Sequence, residues 1–325
     1  MKAVYINEFG GVEGLEVREV AEPSTPTGNE ILVRVRAAGL NRADLLQRRG
    51  LYPPPEGYDA RIPGLEFAGE VAAVGDAVTE LKIGDRVFGI TAGEAQAEYL
   101  LIDASLAAKV PENLSFIEAA AVPEAFITAH DSIFTQADLK RGETLLIHAV
   151  GSGVGLAALQ MAKANGVTTI GTSRTEDKIE WCKEFGLDHA VVASDGKFAE
   201  AVKQATNGVD VILDLVGGTY FEENLNVLKL KGRLMVVGLT AGANSAIDLR
   251  AVLQKRLTIK GTVLRGRSLA EKAEALNAFA LDVVPMLASG AVVGNVDKVF
   301  AVDDVKAAHE YLESNESFGK VILEF

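Results

Sequence analysis

The pattern of apolar and polar positions changes rhythm part-way along the chain. From residue 1 to about 122, short runs alternate or are rich in β-formers: Lys2 to Ile6, Leu15 to Val20, Ile31 to Ala37, Gly69 to Val74 and Arg86 to Gly89. Pro and Gly clusters separate them, as between strands. Strands this short and close predict a compact barrel. From about 140, apolar strand runs alternate with helical spacing. The strands are Thr144 to His148, Thr168 to Gly171, Ala190 to Ala193, Val209 to Leu215, Leu234 to Gly238 and Leu257 to Leu264. The helices between them are Gly153 to Asn165, Glu176 to Phe185, Phe198 to Ala205, Tyr220 to Leu228 and Leu249 to Lys255. That alternation, with short links, predicts an α/β fold with a doubly wound parallel sheet. The tail, Ser268 to Phe325, reads as a helix from Leu269 to Leu287, a second near Val305 to Glu313 and a last strand, Lys320 to Phe325. It is too short for a domain of its own and is expected to pack on the barrel.

A length of 325 residues fits about two domains. Charges or glycines interrupt every apolar run, so no membrane span is expected. The N-terminal MKAVYINEFGG lacks the long apolar stretch of a secretory signal, and a cytoplasmic location is expected. Cys182 is the one cysteine, which excludes an internal disulfide and any Cys-x-x-Cys zinc site. The formal net charge of −13 opposes binding to a phosphate backbone, so nucleic acid is not an expected partner.

The stretch LLIHAVGSGVG, Leu145 to Gly155, runs from a strand into a glycine cluster and then a helix. The first turn of a dinucleotide fold needs small residues for the bend, for approach to a diphosphate and for helix–strand packing. Val150, Ser152 and Gly155 occupy those three places, with Gly151 and Gly153 interleaved. The helix N-terminus, from Gly153 and Val154 onward, would hold a phosphate through its N–H groups and dipole. At the tip of the second strand an NAD site usually carries Asp or Glu. Here the order is Gly171-Thr172-Ser173-Arg174-Thr175-Glu176-Asp177-Lys178. Ser173, Arg174 and Lys178 offer a hydroxyl and two cations, which suit a 2′-phosphate, so NADPH is expected. A solvated helix start pairing those cations with Glu176 and Asp177 is the alternative.

Seven stretches carry a family resemblance over nearly the whole length: GLNRADLLQRRGLYPPP (39–55), IPGLEFAGEVAAVG (62–75), LKIGDRVFG (81–89), EAAAVPEAFITA (118–129), LIHAVGSGVG (146–155), ILDLVGG (212–218) and SFGKVILEF (317–325). With them the chain resembles the medium-chain dehydrogenase/reductase superfamily. Within it the chain is similar to the zeta-crystallin-like quinone oxidoreductases, in the tumour-suppressor-inducible branch. The resemblance implies a GroES-like catalytic domain, 1–122 with 266–325, and a Rossmann-like NADPH-binding domain, 123–265. It places the active site between the two. Zinc-dependent relatives carry Cys where this chain has Asn41 and His where it has Leu65; neither replacement is a zinc ligand here. No metal is therefore expected.

A quinone is already electron-poor, and needs a hydride donor held close and a hydrogen-bond donor for the oxygen that becomes anionic. By resemblance Asn41, Asp44, Arg48, Tyr52 and Ser152 line the site. Asn41, Tyr52 and Ser152 are the catalytic candidates, Asp44, Arg48 and Tyr52 would meet substrate, and Asn41 and Ser152 also the cofactor. Asp44 and Arg48, four apart, could equally form a local ion pair, and Tyr52 could simply pack beside three prolines. The resemblance puts Thr128, Gly238 and Leu239, and Leu264 and Arg265, near the nicotinamide, and Lys320 near the cofactor phosphates. Relatives carry a tyrosine after the third strand where Ala193 aligns here. The sixth strand would edge the sheet and pair with a twin subunit. The expected activity is NADPH-dependent quinone reduction. An enoyl or alkenal reductase, and a nucleotide-binding structural or RNA-binding protein, are the alternatives.

Overall fold

The computed structural model describes residues 1–325. Contacts divide the chain into two units: Met1–Ile127 with Leu264–Phe325, and Thr128–Val263. No helix is long and apolar enough to cross a membrane.

The first unit is a GroES-like barrel built on one long strand, Glu30–Leu40. That strand pairs antiparallel with Glu66–Val74, with Tyr99–Asp103 and with the last strand, Lys320–Glu324. Two register shifts against Glu66–Val74 bend it enough to serve all three partners. Its inward residues Ile31, Val33 and Val35 pack with Phe67, Val71, Val87, Leu100 and Ile102, all buried. Val321 lies opposite Leu40, so the C-terminal strand does rejoin the barrel. The helix Arg42–Arg48 follows the long strand directly.

The tail holds two helices where periodicity suggests one: Leu269–Asp282 and Val284–Ser289. Pro285 lacks an N–H and its ring collides with the preceding turn, which ends the first helix. A strand at Val296–Ala301 pairs with the last strand and has no clear sequence signal, because four of its six residues are exposed, none is buried and they do not alternate.

The second unit is a six-stranded parallel sheet. Its order is His189–Val192, Thr168–Ser173, Thr144–Ile147, Val209–Asp214, Leu228–Val236, Thr258–Gly261. The order reverses at Thr144–Ile147, which creates the switch point where doubly wound sheets bind nucleotides. Leu146, Ile170, Ile212 and Leu234, from four adjacent strands, share one core with Phe198 and Tyr220. Each buried Leu or Ile contributes roughly 1.5–3 kcal/mol, so this layer dominates the unit's stability. The sixth strand ends at Gly261, earlier than its apolar run suggests, and forms the sheet edge. Beside it the helix Leu249–Lys255 buries none of its residues: Leu249 is 68% and Leu253 77% exposed, and Val263 is 52% exposed.

Candidate active site

In the second unit the glycine turn follows Thr144–Ile147. Ala149 adopts a left-handed φ of 50°, which starts the bend without glycine. A Cβ on Gly155 would lie 2.6 Å from the carbonyl oxygens of both Ala149 and Val150, so only glycine lets the helix close on the turn. Ser152 caps the helix Gly153–Ala164: its Oγ accepts from Gly155 N at 3.1 Å. The first N–H groups of a helix have no partner inside it. With Gly155 N on the serine and Leu156 N on Ser152 O, the N–H groups of Gly153 and Val154 remain to meet an anion. The Ser152 hydroxyl proton is still available to donate. The turn therefore fits a diphosphate.

A buried polar chain, which the sequence pattern did not disclose, supports this turn. His148 Nδ1 lies 2.8 Å from Thr172 Oγ1, and Nε2 lies 2.7 Å from Asn224 Oδ1. Asn224 Nδ2 donates to Asp214 Oδ2 at 2.9 Å. Asp214 Oδ1 accepts from Val216 N and Gly217 N at 2.8 and 2.9 Å. Burial holds His148 below the ordinary imidazole range, against the pull of Asp214, so the ring is neutral. The chain fixes the C-terminal ends of three adjacent strands relative to one another.

At the second strand's tip, Ser173 is the last strand residue and is buried, its Oγ taking Thr175 N at 3.4 Å. Arg174 follows on the surface, and Lys178 is half-buried in the helix Glu176–Glu184. Ala193 is buried, and its carbonyl accepts from the Tyr220 hydroxyl at 3.3 Å, which brings a tyrosine from another helix to that place. Gly238 is half-buried, with a would-be Cβ 2.5 Å from Leu215 O, and Leu239 is 52% exposed. Thr128 is half-buried, and its carbonyl accepts from Ser132 Oγ at 2.7 Å.

The first unit gathers a second group of candidates in one corner. Asn41 begins the helix Arg42–Arg48, and its N–H donates to Asp44 Oδ2 at 2.7 Å. Asn41 Nδ2 donates to Glu66 Oε1 at 2.8 Å. Lys320 Nζ, from the last strand, donates to Leu40 O, Asn41 Oδ1 and Glu66 Oε1 at 2.9, 2.7 and 2.5 Å. Glu66 Oε2 accepts from Glu124 N at 2.8 Å. Glu66 is fully buried and Leu65 2% exposed. Gly39 is what lets these strands meet: a Cβ there would lie 2.3 Å from Glu66 Oε1. Arg265 closes the corner with Ala92 O at 2.7 Å, Tyr52 O at 2.8 Å and Gln47 Oε1 at 2.5 Å. Its guanidinium lies 4.9 Å from the centre of the Tyr52 ring.

Residues 27–112 match the family profile "Alcohol dehydrogenase GroES-like domain", and residues 153–280 match "Zinc-binding dehydrogenase". A quinone oxidoreductase of Pseudomonas aeruginosa is 33% identical over 99% of this chain and 99% of its own. The chain belongs to the medium-chain dehydrogenase/reductase superfamily. The crystal structure of Escherichia coli quinone oxidoreductase complexed with NADPH superposes with a TM-score of 0.88 at 32% identity, covering 100% of both chains. CurK enoyl reductase gives a TM-score of 0.88 at 27% identity, covering 99% of this chain and 98% of that one.

Four expectations need correction. Asp44 does not face a substrate: it is fully buried, and its carboxylate takes Asn41 N and Gly64 N, the latter at 3.1 Å. Burial pushes it up to about 6, with those N–H groups and Lys320 and Arg265 pulling down. Arg48 is 2% exposed and donates to Gly10 O at 3.1 Å and Glu313 Oε2 at 2.9 Å, so it neither meets substrate nor pairs with Asp44. Lys320, expected beside cofactor phosphates, gives all three ammonium protons to the corner instead. Leu264 and Arg265 lie beyond the sixth strand and belong to the first unit, where Leu264 is buried and the Arg265 guanidinium holds the Tyr52 loop. Tyr52 itself is half-buried; burial raises its phenol and Arg265 opposes that. Glu124 was missed. Its place behind Pro123 at a helix start was the available signal.

Proposed function

We propose that the protein is a quinone oxidoreductase that uses NADPH and requires no zinc ion. The observation that carries this reading is the Lys320 ammonium on Asn41 and Glu66. A cation already neutralises the corner where zinc-dependent relatives would hold a metal, and no group of three His, Cys, Asp or Glu side chains able to hold one exists in the chain. Without a Lewis acid the protein suits acceptors that are intrinsically electrophilic. Gly153 and Val154 would hold the diphosphate, and Ser173 and Arg174 the 2′-phosphate. A bound nicotinamide supplies hydride. Tyr52 would donate a hydrogen bond to developing negative charge on the acceptor, Asn41, whose amide is held by Glu66, Gly39 and Lys320, would keep the corner in shape, and the Ser152 hydroxyl would bond the nucleotide. The quinone oxidoreductases at 32–33% identity support this choice.

A second reading, reduction of activated C=C bonds, is favoured by the similarity to CurK enoyl reductase. Purified protein is tested with NADPH and a panel of ortho- and para-quinones, enals and enones, followed by loss of nicotinamide absorbance. Faster turnover of quinones supports the first reading, and a wide advantage for enals replaces it with the second. NADPH binding without turnover of either class would return the chain to a structural role. The exposed Leu249, Leu253 and Val263 beside the edge strand support a homodimer through the sheet. A cytoplasmic location is part of the same proposal.

A further inference from the structure

The polar groups of the first unit's corner are taken, with two exceptions. Glu66 and Asp44 each have both oxygens occupied, Lys320 all three protons, and Arg265 three N–H groups. The Glu124 side chain makes no hydrogen bond or ion pair, and neither does the Tyr52 hydroxyl. Both residues are half-buried. Neither is held by a protein partner, so each keeps its hydrogen-bonding capacity for a ligand in the corner.

The backbone fixes Glu124 firmly. It follows Pro123 in the first turn of the helix Pro123–His130, and its N–H is held by Glu66 Oε2 at 2.8 Å. Its carboxyl acts electrostatically on six neighbours from separate elements: Glu66, Asp44, Lys320, Arg265, Tyr52 and Lys272. We propose that Glu124 is the acid that delivers a proton to the acceptor as it is reduced, with the Tyr52 hydroxyl as a second donor to the same acceptor. This inference deepens the proposed oxidoreductase function and rests on it. A bound reduced nicotinamide would supply hydride, and the reduced acceptor would then carry an oxyanion. The Glu124 O–H bond then breaks, an O–H bond forms on the acceptor, and the carboxylate recovers a proton from water. Burial and the adjacent Glu66 push Glu124 up to about 8, while Lys320 and Arg265 pull the other way, so the proton is present at neutral pH.

The test compares wild type, Glu124→Gln and Glu124→Asp in steady-state reduction of a para-quinone by NADPH, from roughly pH 6 to 10. Infrared difference spectra of each protein without substrate follow the protonated carboxyl. In wild type kcat is expected to fall as pH rises through about 8, with a carboxyl band that titrates over the same range. Glu124→Gln should lose the band, flatten the alkaline limb and lower kcat by about 100-fold, with KM for NADPH unchanged. Glu124→Asp, which keeps a proton, should keep the limb; it also serves if the glutamine variant does not fold. A Glu124→Gln enzyme with wild-type rate and profile, or a Glu124 carboxyl already ionised at neutral pH, overturns the donor role while leaving the oxidoreductase reading intact. A wild type that reduces neither quinones nor enones, whatever the infrared titration, overturns both.

Discussion

Replacing Lys320 by Met tests the corner directly. Met keeps much of the stem's length and apolar contact and removes only the charge. Lys320 is 5% exposed and its partner Glu66 is fully buried, so water cannot replace the ammonium. Glu66 would retain Asn41 Nδ2 and Glu124 N and lose the only cation bonded to it. Removing one member of a buried ion pair costs about 3–5 kcal/mol, chiefly because the other charge stays desolvated. That is a large part of the 5–15 kcal/mol, roughly, available to a whole domain. Urea unfolding followed by far-ultraviolet circular dichroism reads the loss. Fluorescence does not suffice, because Trp181, the one tryptophan, lies in the second unit. The double variant Lys320→Met with Glu66→Gln removes both charges and should recover at least half of the loss. A single variant that loses less than about 1 kcal/mol, the range of a surface pair, would refute the picture. So would a double variant no more stable than the single one.

Glu124→Gln has a stability signature separate from catalysis. The folded carboxyl sits near 8 against 4.5 unfolded, so the native state binds the extra proton and wild-type stability falls as pH rises from about 4.5 to about 8. Gln does not titrate, so its advantage should grow by about 2 kcal/mol between pH 6 and 8; parallel denaturation midpoints at the two pH values would place the carboxyl in water. Arg174→Ala should raise Kd for NADPH by about tenfold or more while leaving NADH little changed, since it removes one charge-assisted contact to a 2′-phosphate; equal effects on titration with the two nucleotides would remove Arg174 from that role. Leu253→Glu should shift a dimer toward monomer in analytical ultracentrifugation without lowering Tm, because the side chain is exposed within the chain; an unchanged sedimentation profile would move the interface elsewhere.

The parallel sheet was legible because its strands are apolar runs separated by 3.6-residue spacing, and the order of elements follows from that rhythm. The glycine turn was legible too, through Gly155, although Ala149 in a left-handed conformation takes a place that glycine would usually mark. The corner was legible only in fragments. Asn41 and Leu65 announced that a ligand pair had changed, but nothing local says that the charge is supplied from residue 320. Its three acceptors lie some 250 to 280 residues earlier in the chain. By resemblance alone, Lys320 in SFGK points to the cofactor phosphates. Arg48 misled for the opposite reason: its spacing from Asp44 suggests a pair, and a glutamate from the last helix takes it. His148 stood among four scattered histidines until the fold brought Thr172, Asn224 and Asp214 around it.

The strand that carries Lys320 also sets an order of events during synthesis. Residues 128–263 form a continuous unit, whole once they leave the ribosome. The barrel, begun earlier, waits for Val321 to Glu324 to complete its pairing with Glu30–Leu40. Until then the Lys320 ammonium that pairs with Glu66 is missing. A nascent chain halted before Lys320 would thus hold residues 128–263 whole while the first unit still lacks a strand.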